Sequence, residues 1–314
     1  MRRWGSESSG PRCPFLLAAA VVVLLALGAM GCDLPAVVGD AGTLTTADSP
    51  STAPQGATTT TRLSQAEGST TTSAASATAK VRVYFSRDEK MAAASRAIPM
   101  TDQVGAAAMT ALLQGPTAEE KAAGMVTCIP QGTSFLGLTL KNGVATVDLS
   151  AEYGSGGGSL SMFTRLAQVV FTLTQFSTVD GVRFKLDGKL IDTLGGEGII
   201  VDKPLGRDDY EDMSPAILVE SPTVGATAGS PLRVTGTANV FEAVFKIDIV
   251  NWDGLVIAQK TVKASSGTGT RGVFDVTVPF AVDKAGAGTL VVFSDSPKDG
   301  SHINVVEIPL HLAK

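Results

Sequence analysis

The chain has 314 residues, 44% of them hydrophobic, enough to fill more than one core of ordinary domain size. Only 18% of residues are charged, the formal net charge is −5, and no basic run follows the first dozen residues, which excludes a nucleic-acid binder that must neutralise phosphates. Three cysteines without a C-x-x-C pair exclude a disulfide-built scaffold and a cysteine zinc site.

The N-terminus carries Arg2, Arg3 and Arg12, then an uncharged apolar stretch from Phe15 to Ala29, then small residues before Cys32. Basic head, apolar middle and small-residue end are the parts of an export signal. The apolar stretch is close to the shortest length that crosses a bilayer, so a retained anchor is the alternative. The residues "GAMGC" resemble the lipobox of bacterial lipoproteins, with Ala29 where that motif usually has leucine. The resemblance implies cleavage of residues 1–31, lipid on Cys32 and an extracytoplasmic chain held at the membrane by that lipid. Cys13 would leave with the signal, and Cys128, left alone, reads as a small buried hydrophobe.

Residues 32–79 are almost entirely Thr, Ser, Ala, Gly and Pro. Such a stretch cannot bury enough apolar surface to offset its ordering entropy, so it reads as a disordered tether. A flexible-coil estimate gives it a span of roughly 35–40 Å.

Residues 80–193 read as an α+β domain. In "KVRVYF", Val81, Val83 and Phe85 alternate with Arg82 and Tyr84, a strand pattern. Asp102 can cap a helix through "QVGAAAMTALLQ", and Gly115-Pro116 ends it. Thr117 and Glu120 have capping-box spacing for a short helix that stops at Gly124. The runs "TSFLGLTL" and "VATVDLS" flank Asn142-Gly143, the strongest short hairpin signal. A glycine-rich loop leads to Ser159, a candidate N-cap for a helix over 160–176, and the strand "VRFKLDG" follows.

On that helix Arg165, Gln168, Thr172 and Gln175 make one polar stripe, while apolar side chains cover roughly 220° of arc at 100° per residue. One sheet face needs about half of that. Either the first helix of the same domain covers the remainder, or a partner surface or the second domain does. Leu166, Val169 and Leu173 are therefore candidate partner contacts.

Residues 194–214 read as a solvated linker carrying the acidic cluster Asp208, Asp209, Glu211 and Asp212; the alternating ligands and tight glycine of a calcium loop are missing. Residues 215–314 hold seven short β-rich runs separated by turns, from "AILVE" to "VVEIPLHL". This is the pattern of an immunoglobulin-like β-sandwich, here without a Cys…Trp…Cys core. Phe274, Val276, Val278 and Phe280 share one strand face. Trp252, in the turn "NWDG", is either a turn-packing residue or a contact residue.

Catalytic groups are sparse. His302 and His311 lie at the end of the chain and read as surface residues. No G-x-S-x-G occurs. The loop "YGSGGGSLS" lacks the lysine of a Walker loop and the last glycine of a dinucleotide fingerprint. Asp148 and Glu152 are a carboxylate pair by sequence spacing alone. No catalytic residue, cofactor or metal is expected.

The pieces "LLQGPTAEEKAAGMVTCIP", "VATVDLS" and "LAQVVFTLTQF" followed by "VRFKLDG" resemble the GerMN domain of bacterial spore-germination and envelope proteins. The stretch "SPTVGATAGSPLRVTGTANVFEAVF" resembles the immunoglobulin-like domain that accompanies GerMN. The resemblance implies a non-catalytic envelope lipoprotein linked to sporulation or germination, which assembles with an envelope protein partner or with itself. Recognition of cell-wall polymer, peptidoglycan or another glycan, is the second reading; a wall-active hydrolase is the third.

Overall fold

The computed structural model describes residues 77–196 and 198–314. The export signal, Cys32 and the tether up to residue 76 lie outside them; Thr78 and Ala79, expected in the tether, pair with the next strand and begin the fold instead. An α+β half is followed by an all-β half, as the sequence pattern requires.

Two ten-residue strands, β1 (Thr78–Arg87) and β2 (Lys90–Pro99), form an antiparallel hairpin. Its turn residues Asp88 and Glu89 both have positive φ, the geometry of a two-residue primed turn. Helix α1 (Val104–Leu113) follows, then α2 (Ala118–Ala122). Gly115, at φ 75°, closes α1, and α2 carries the expected capping box between Thr117 and Glu120. Asp102 does not cap α1: Gln103 occupies that place, and its amide donates to Thr101 Oγ1.

Strands β3 (Phe135–Lys141) and β4 (Val144–Leu149) form the hairpin that turns through Asn142 and Gly143. A 3-10 turn (Ala151–Gly154) and the glycine loop lead into α3 (Ser159–Leu173), which starts after Gly158 and stops three residues before Phe176. The helix returns the chain to β5 (Gly181–Leu186), parallel to β4, and β6 (Lys189–Leu190) completes a four-stranded sheet in the order β3-β4-β5-β6. A small hairpin of β7 (Thr193–Leu194) and β8 (Ile199–Ile200) precedes a 3-10 segment, Arg207–Met213.

Helix α3 is the centre of this half. It packs on β1, α1, β5, β8 and the Arg207–Met213 segment. Its broad apolar arc is thereby used up inside the fold. Leu166, Val169 and Leu173 are fully buried in the core rather than on an open helix face; of the three, Leu173 lies at the floor of a groove between α1 and β3. The physical reason is the added hairpin: β1 closes the side of α3 that a single sheet and α1 would leave open.

The polar stripe of α3 is buried too, and it faces the unpaired edge of β1. Tyr84 N–H donates to Thr172 Oγ1, and Gln168 Nε2 donates to Tyr84 O. Gln175 takes both groups of Arg82: its Oε1 accepts from the Arg82 amide and its Nε2 donates to the Arg82 carbonyl. Ser86, next along the same edge, pairs with Val126 by backbone. Alternate β1 residues and one helical stripe thus satisfy each other where a third strand would otherwise be needed.

The stretch 194–214 is not a solvated linker. Leu194, Val201, Leu205 and Tyr210 are buried in the α+β core. Of the acidic cluster, Glu211 makes a forked pair with Arg271, Asp209 accepts from Lys203 and from the Gly206 amide, and the Asp212 carbonyl accepts from Lys90.

The second half is a sandwich of two sheets. One is β14-β11-β9, from β9 (Ile217–Ser221), β11 (Leu232–Ala238) and β14 (Gly272–Val278). The other is β10-β16-β15-β12-β13, from β10 (Thr227–Ala228), β12 (Val244–Asn251), β13 (Val256–Lys263), β15 (Gly286–Asp295) and β16 (His302–Leu312). All seven expected runs are strands. Phe274 and Val278 point into the core with Phe245, Ile247, Leu290 and Val292, and Phe274 meets Phe245 edge-on at 4.9 Å.

The halves share a polar junction. On β9, Leu218 faces the α+β core while Ile217 and Val219 face the sandwich core. Glu220, next on the α+β side, accepts from Tyr84 Oη and from Arg207 Nη1 at 2.8 Å, with Arg82 Nη2 at 3.9 Å. Burial raises the Glu220 carboxyl, but Arg207, the Tyr84 hydroxyl and Arg82 outweigh it, and the group is held below the usual range. Arg87 Nη1 donates to Glu307 O, and His311 Nε2 lies 3.3 Å from Glu119 Oε1.

Candidate interaction surface

Glycine fits the first turn of α1 closely onto β3. A Cβ on Gly105 would lie 2.8 Å from Leu138 Cδ2. Beside this contact an open groove of about 630 Å³ runs between α1 and β3, walled by Val104, Phe135, Leu138, Leu140, Phe176 and Val179. Asp102 is the charged side chain on its wall. Leu136 and Leu140 are each about half exposed, at 52% and 51%.

The strand beside the groove is an edge. Beyond β4, β3 has no neighbour among the described residues. The two-residue turn makes Lys141 and Val144 a hydrogen-bonded pair, so the amides and carbonyls of Leu138 and Leu140 turn outward. No described residue bonds them. The edge is apolar from Leu138 to Leu140, past the irregular pairing at Phe135–Gly137, with Lys141 only at its end, and such an unpaired stretch can accept another chain. Together with an uncovered apolar groove it has the chemistry of a protein-contact surface rather than of a reaction centre. The sequence read β3 correctly as a strand, but nothing in it marked this strand as the open edge.

The other candidate residues fall into structural roles. Arg165 is buried beneath the glycine loop, where Nη1 donates to the Tyr153 and Ser155 carbonyls and Nη2 to the Gly156 carbonyl and Ser161 Oγ. The loop therefore turns carbonyl oxygens toward a cation, the opposite polarity to a phosphate cradle. Asp148 accepts from the Gly188 amide at the β5–β6 turn. Glu152 is exposed, and the Ser150 hydroxyl holds its carboxyl below the usual range. The two carboxylates serve separate turns. His302 stacks on Phe293 at 3.8 Å, and His311 pairs with Glu119. Among the described residues no three metal-ligating side chains converge. Cys128 is buried, and its amide donates to Gln168.

Trp252 is 55% exposed, and Lys284 Nζ sits 3.8 Å over its ring. One ring face is thus covered by a cation–π contact. Nothing in the sequence marks the Tyr84–Arg207–Glu220 junction, because Tyr84 lies more than a hundred positions before the other two and each residue is ordinary by itself.

The family model for Germane, described as sporulation and spore germination, matches residues 82–192. The model for Gmad2, the immunoglobulin-like domain of bacterial spore germination, matches residues 216–301. Among solved structures, the first GerMN domain of the sporulation protein GerM from Bacillus subtilis is 24% identical, with a TM-score of 0.35, over 42% of this chain and 99% of that one. The tandem GerMN domains of the same protein are 16% identical, with a TM-score of 0.38, over 66% of this chain and 64% of that one. The chain thus spans just under two thirds of the tandem structure. No curated protein matches. Among the described residues no helix is long and apolar enough to cross a membrane.

Proposed function

We propose that this chain, a Germane domain followed by a Gmad2 domain, is a non-catalytic assembly module of the bacterial cell envelope, held at the membrane through lipid on Cys32. The first family is described for sporulation and spore germination and the second for spore germination, which supports a role in one of those processes. The observation that carries the reading is the α1–β3 surface, where an apolar groove and an unpaired strand edge lie side by side. Its working partner is an envelope protein that contributes apolar side chains to the groove.

The polar groups in this molecule are engaged in holding structure: Arg165 on the glycine loop, Asp148 and Glu152 on turns, Glu220 at the domain junction. Asp148 and Glu152 are each tied to a separate turn, and the Tyr84–Glu220 contact is locked by Arg207 in the junction between the domains, which suits a structural role.

Two substitutions test the reading. Leu140→Asp lies on the exposed edge and should leave the melting temperature within about 2 °C, because exposed substitutions cost little. In cells it should abolish the high-mass complex containing this chain on native gels. Persistence of that complex in a folded Leu140→Asp protein would overturn the assignment. Cys32→Ser should move the chain out of the membrane fraction; unchanged retention would refute the lipid tether.

A further inference from the structure

A second opening lies where the two domains meet, far along the chain from the α1–β3 surface. It is a cleft of about 250 Å³ between β2, β9 and β16, walled by Met91, Ala93, Met125, Ile217, Val219 and Ile308. Its volume is below the roughly 300–1,000 Å³ typical of small-molecule sites. It suits one large side chain and the backbone that carries it.

The backbone at this cleft is incompletely paired. The groups of Ser86, Tyr84 and Arg82 on β1 face α3 and Val126, so their cross-strand partners Met91, Ala93 and Ser95 on β2 face the other way. On β9, the Asn239 amide donates to Ala216 O, which makes Leu218 with Thr237 the next bonded pair and turns the amides and carbonyls of Ile217 and Val219 outward. No hydrogen bond joins β2 to β9, and no described residue bonds the backbone of Met91, Ala93, Ile217 or Val219. Met91, Ala93, Ile217 and Val219 are all buried residues. The outward backbone groups of β2 and β9 are thus left unpaired by any described residue at the cleft, the condition under which an added strand can bond them.

The third wall shows what form those partners take. Along β16, Pro309 O accepts from the Gly225 amide and the His311 amide donates to Ala226 O, so the outer edge of β16 already receives an extended segment leading into β10. That segment departs at Gly225. The next outward position, Glu307, has its carbonyl capped by the Arg87 side chain, and its amide meets no acceptor among the described residues. A strand-accepting edge is therefore filled at one end and open where it reaches the cleft.

The geometry points to this cleft as an acceptor for an extended peptide segment of a partner protein, which continues the line of the Gly225–Ala228 segment along β16 and drops one large apolar side chain between β2 and β9. The strand contributes backbone hydrogen bonds, and the cavity selects the anchor side chain. Arg87 and Lys90 outnumber Asp88 at the rim, which favours an acidic residue beside the anchor. The inference does not depend on the α1–β3 surface.

The probe is a displayed library of random linear heptapeptides panned on the full-length chain in detergent. Enriched sequences should carry one Leu, Met, Phe or Ile with an acidic neighbour, and should bind with micromolar affinity. Ala92→Trp and Val305→Trp, both on partly exposed walls of the cleft, should each weaken binding tenfold or more while the melting curve stays in place. Methylating alternate peptide amides should weaken binding tenfold in one phase and be tolerated in the other. Failure to enrich any such sequence, binding that survives both cleft substitutions in folded protein, or indifference to amide methylation would each overturn the proposal. Peptides that instead lose binding to Leu140→Asp would place the site at α1–β3 and equally overturn it.

Discussion

Single side chains in this protein do the work that an additional strand or a second helix would do elsewhere. Gln168 is the clearest case: its amide group serves Tyr84 O, Cys128 N–H and Thr127 Oγ1 at once, and it is fully buried. Gln168→Leu would keep its bulk and strand those groups, at about 1–3 kcal/mol for each one left unsatisfied. The urea midpoint should fall markedly, whereas Thr110→Ala, on the exposed face of α1, should change stability by no more than about 0.5 kcal/mol. An equal response of the two variants would contradict the role given to the buried stripe. None of this was legible beforehand. The spacing of Arg165, Gln168, Thr172 and Gln175 reveals a polar face, but the partner of the last three is the edge of a strand 84 to 93 positions earlier, and only the folded chain brings them together.

Elements were legible where local signals and tertiary context agreed. The seven β-rich runs of the second domain alternate strongly and emerge as strands, because each needs one face in and one face out. The Asn142-Gly143 hairpin and the Thr117–Glu120 capping box were equally plain. Strand β2 was missed. "KMAAASRAIP" is rich in alanine, a poor strand former, and it is extended because β1 pairs with all ten of its residues. The Leu166, Val169 and Leu173 face of α3 was read as surplus for the same reason, since the hairpin that covers it was half unseen. Two substitutions separate the buried face from the exposed edge. Val169→Asp buries an uncompensated charge and should unfold the α+β half, seen as lost near-ultraviolet dichroism. Leu140→Asp should not. A folded Val169→Asp protein would mean that the helix face is free after all.

Across the whole molecule, the acidic stretch 207–213 and the edge strand β9 turn two domains into one body. Glu220 carries this junction from the sandwich side, and Arg207 with Tyr84 and Arg82 meets it from the other. Removing one member of a buried pair leaves the rest uncompensated, so Glu220→Gln should cost roughly 3–5 kcal/mol near neutral pH. The carboxyl is held below its ordinary value in the folded state. Its stabilisation is therefore complete above the unfolded-state pKa, roughly 4, and is lost as pH falls through the lower folded value. Melting temperatures of the parent and Glu220→Gln should differ at pH 7 and begin to converge as pH falls below about 4; a constant gap as the pH is lowered further would contradict the assignment.

The chain's role as an assembly module rests on what meets β3 in the cell. A photoreactive amino acid placed at position 140 in living cells, with position 277 on the exposed face of β14 as control, reads this directly. The α1–β3 account expects one discrete adduct of defined mass from position 140, containing a single envelope protein, and none from position 277. Equal labelling at both positions, or no adduct at position 140 under conditions where the chain is at the membrane, would contradict it.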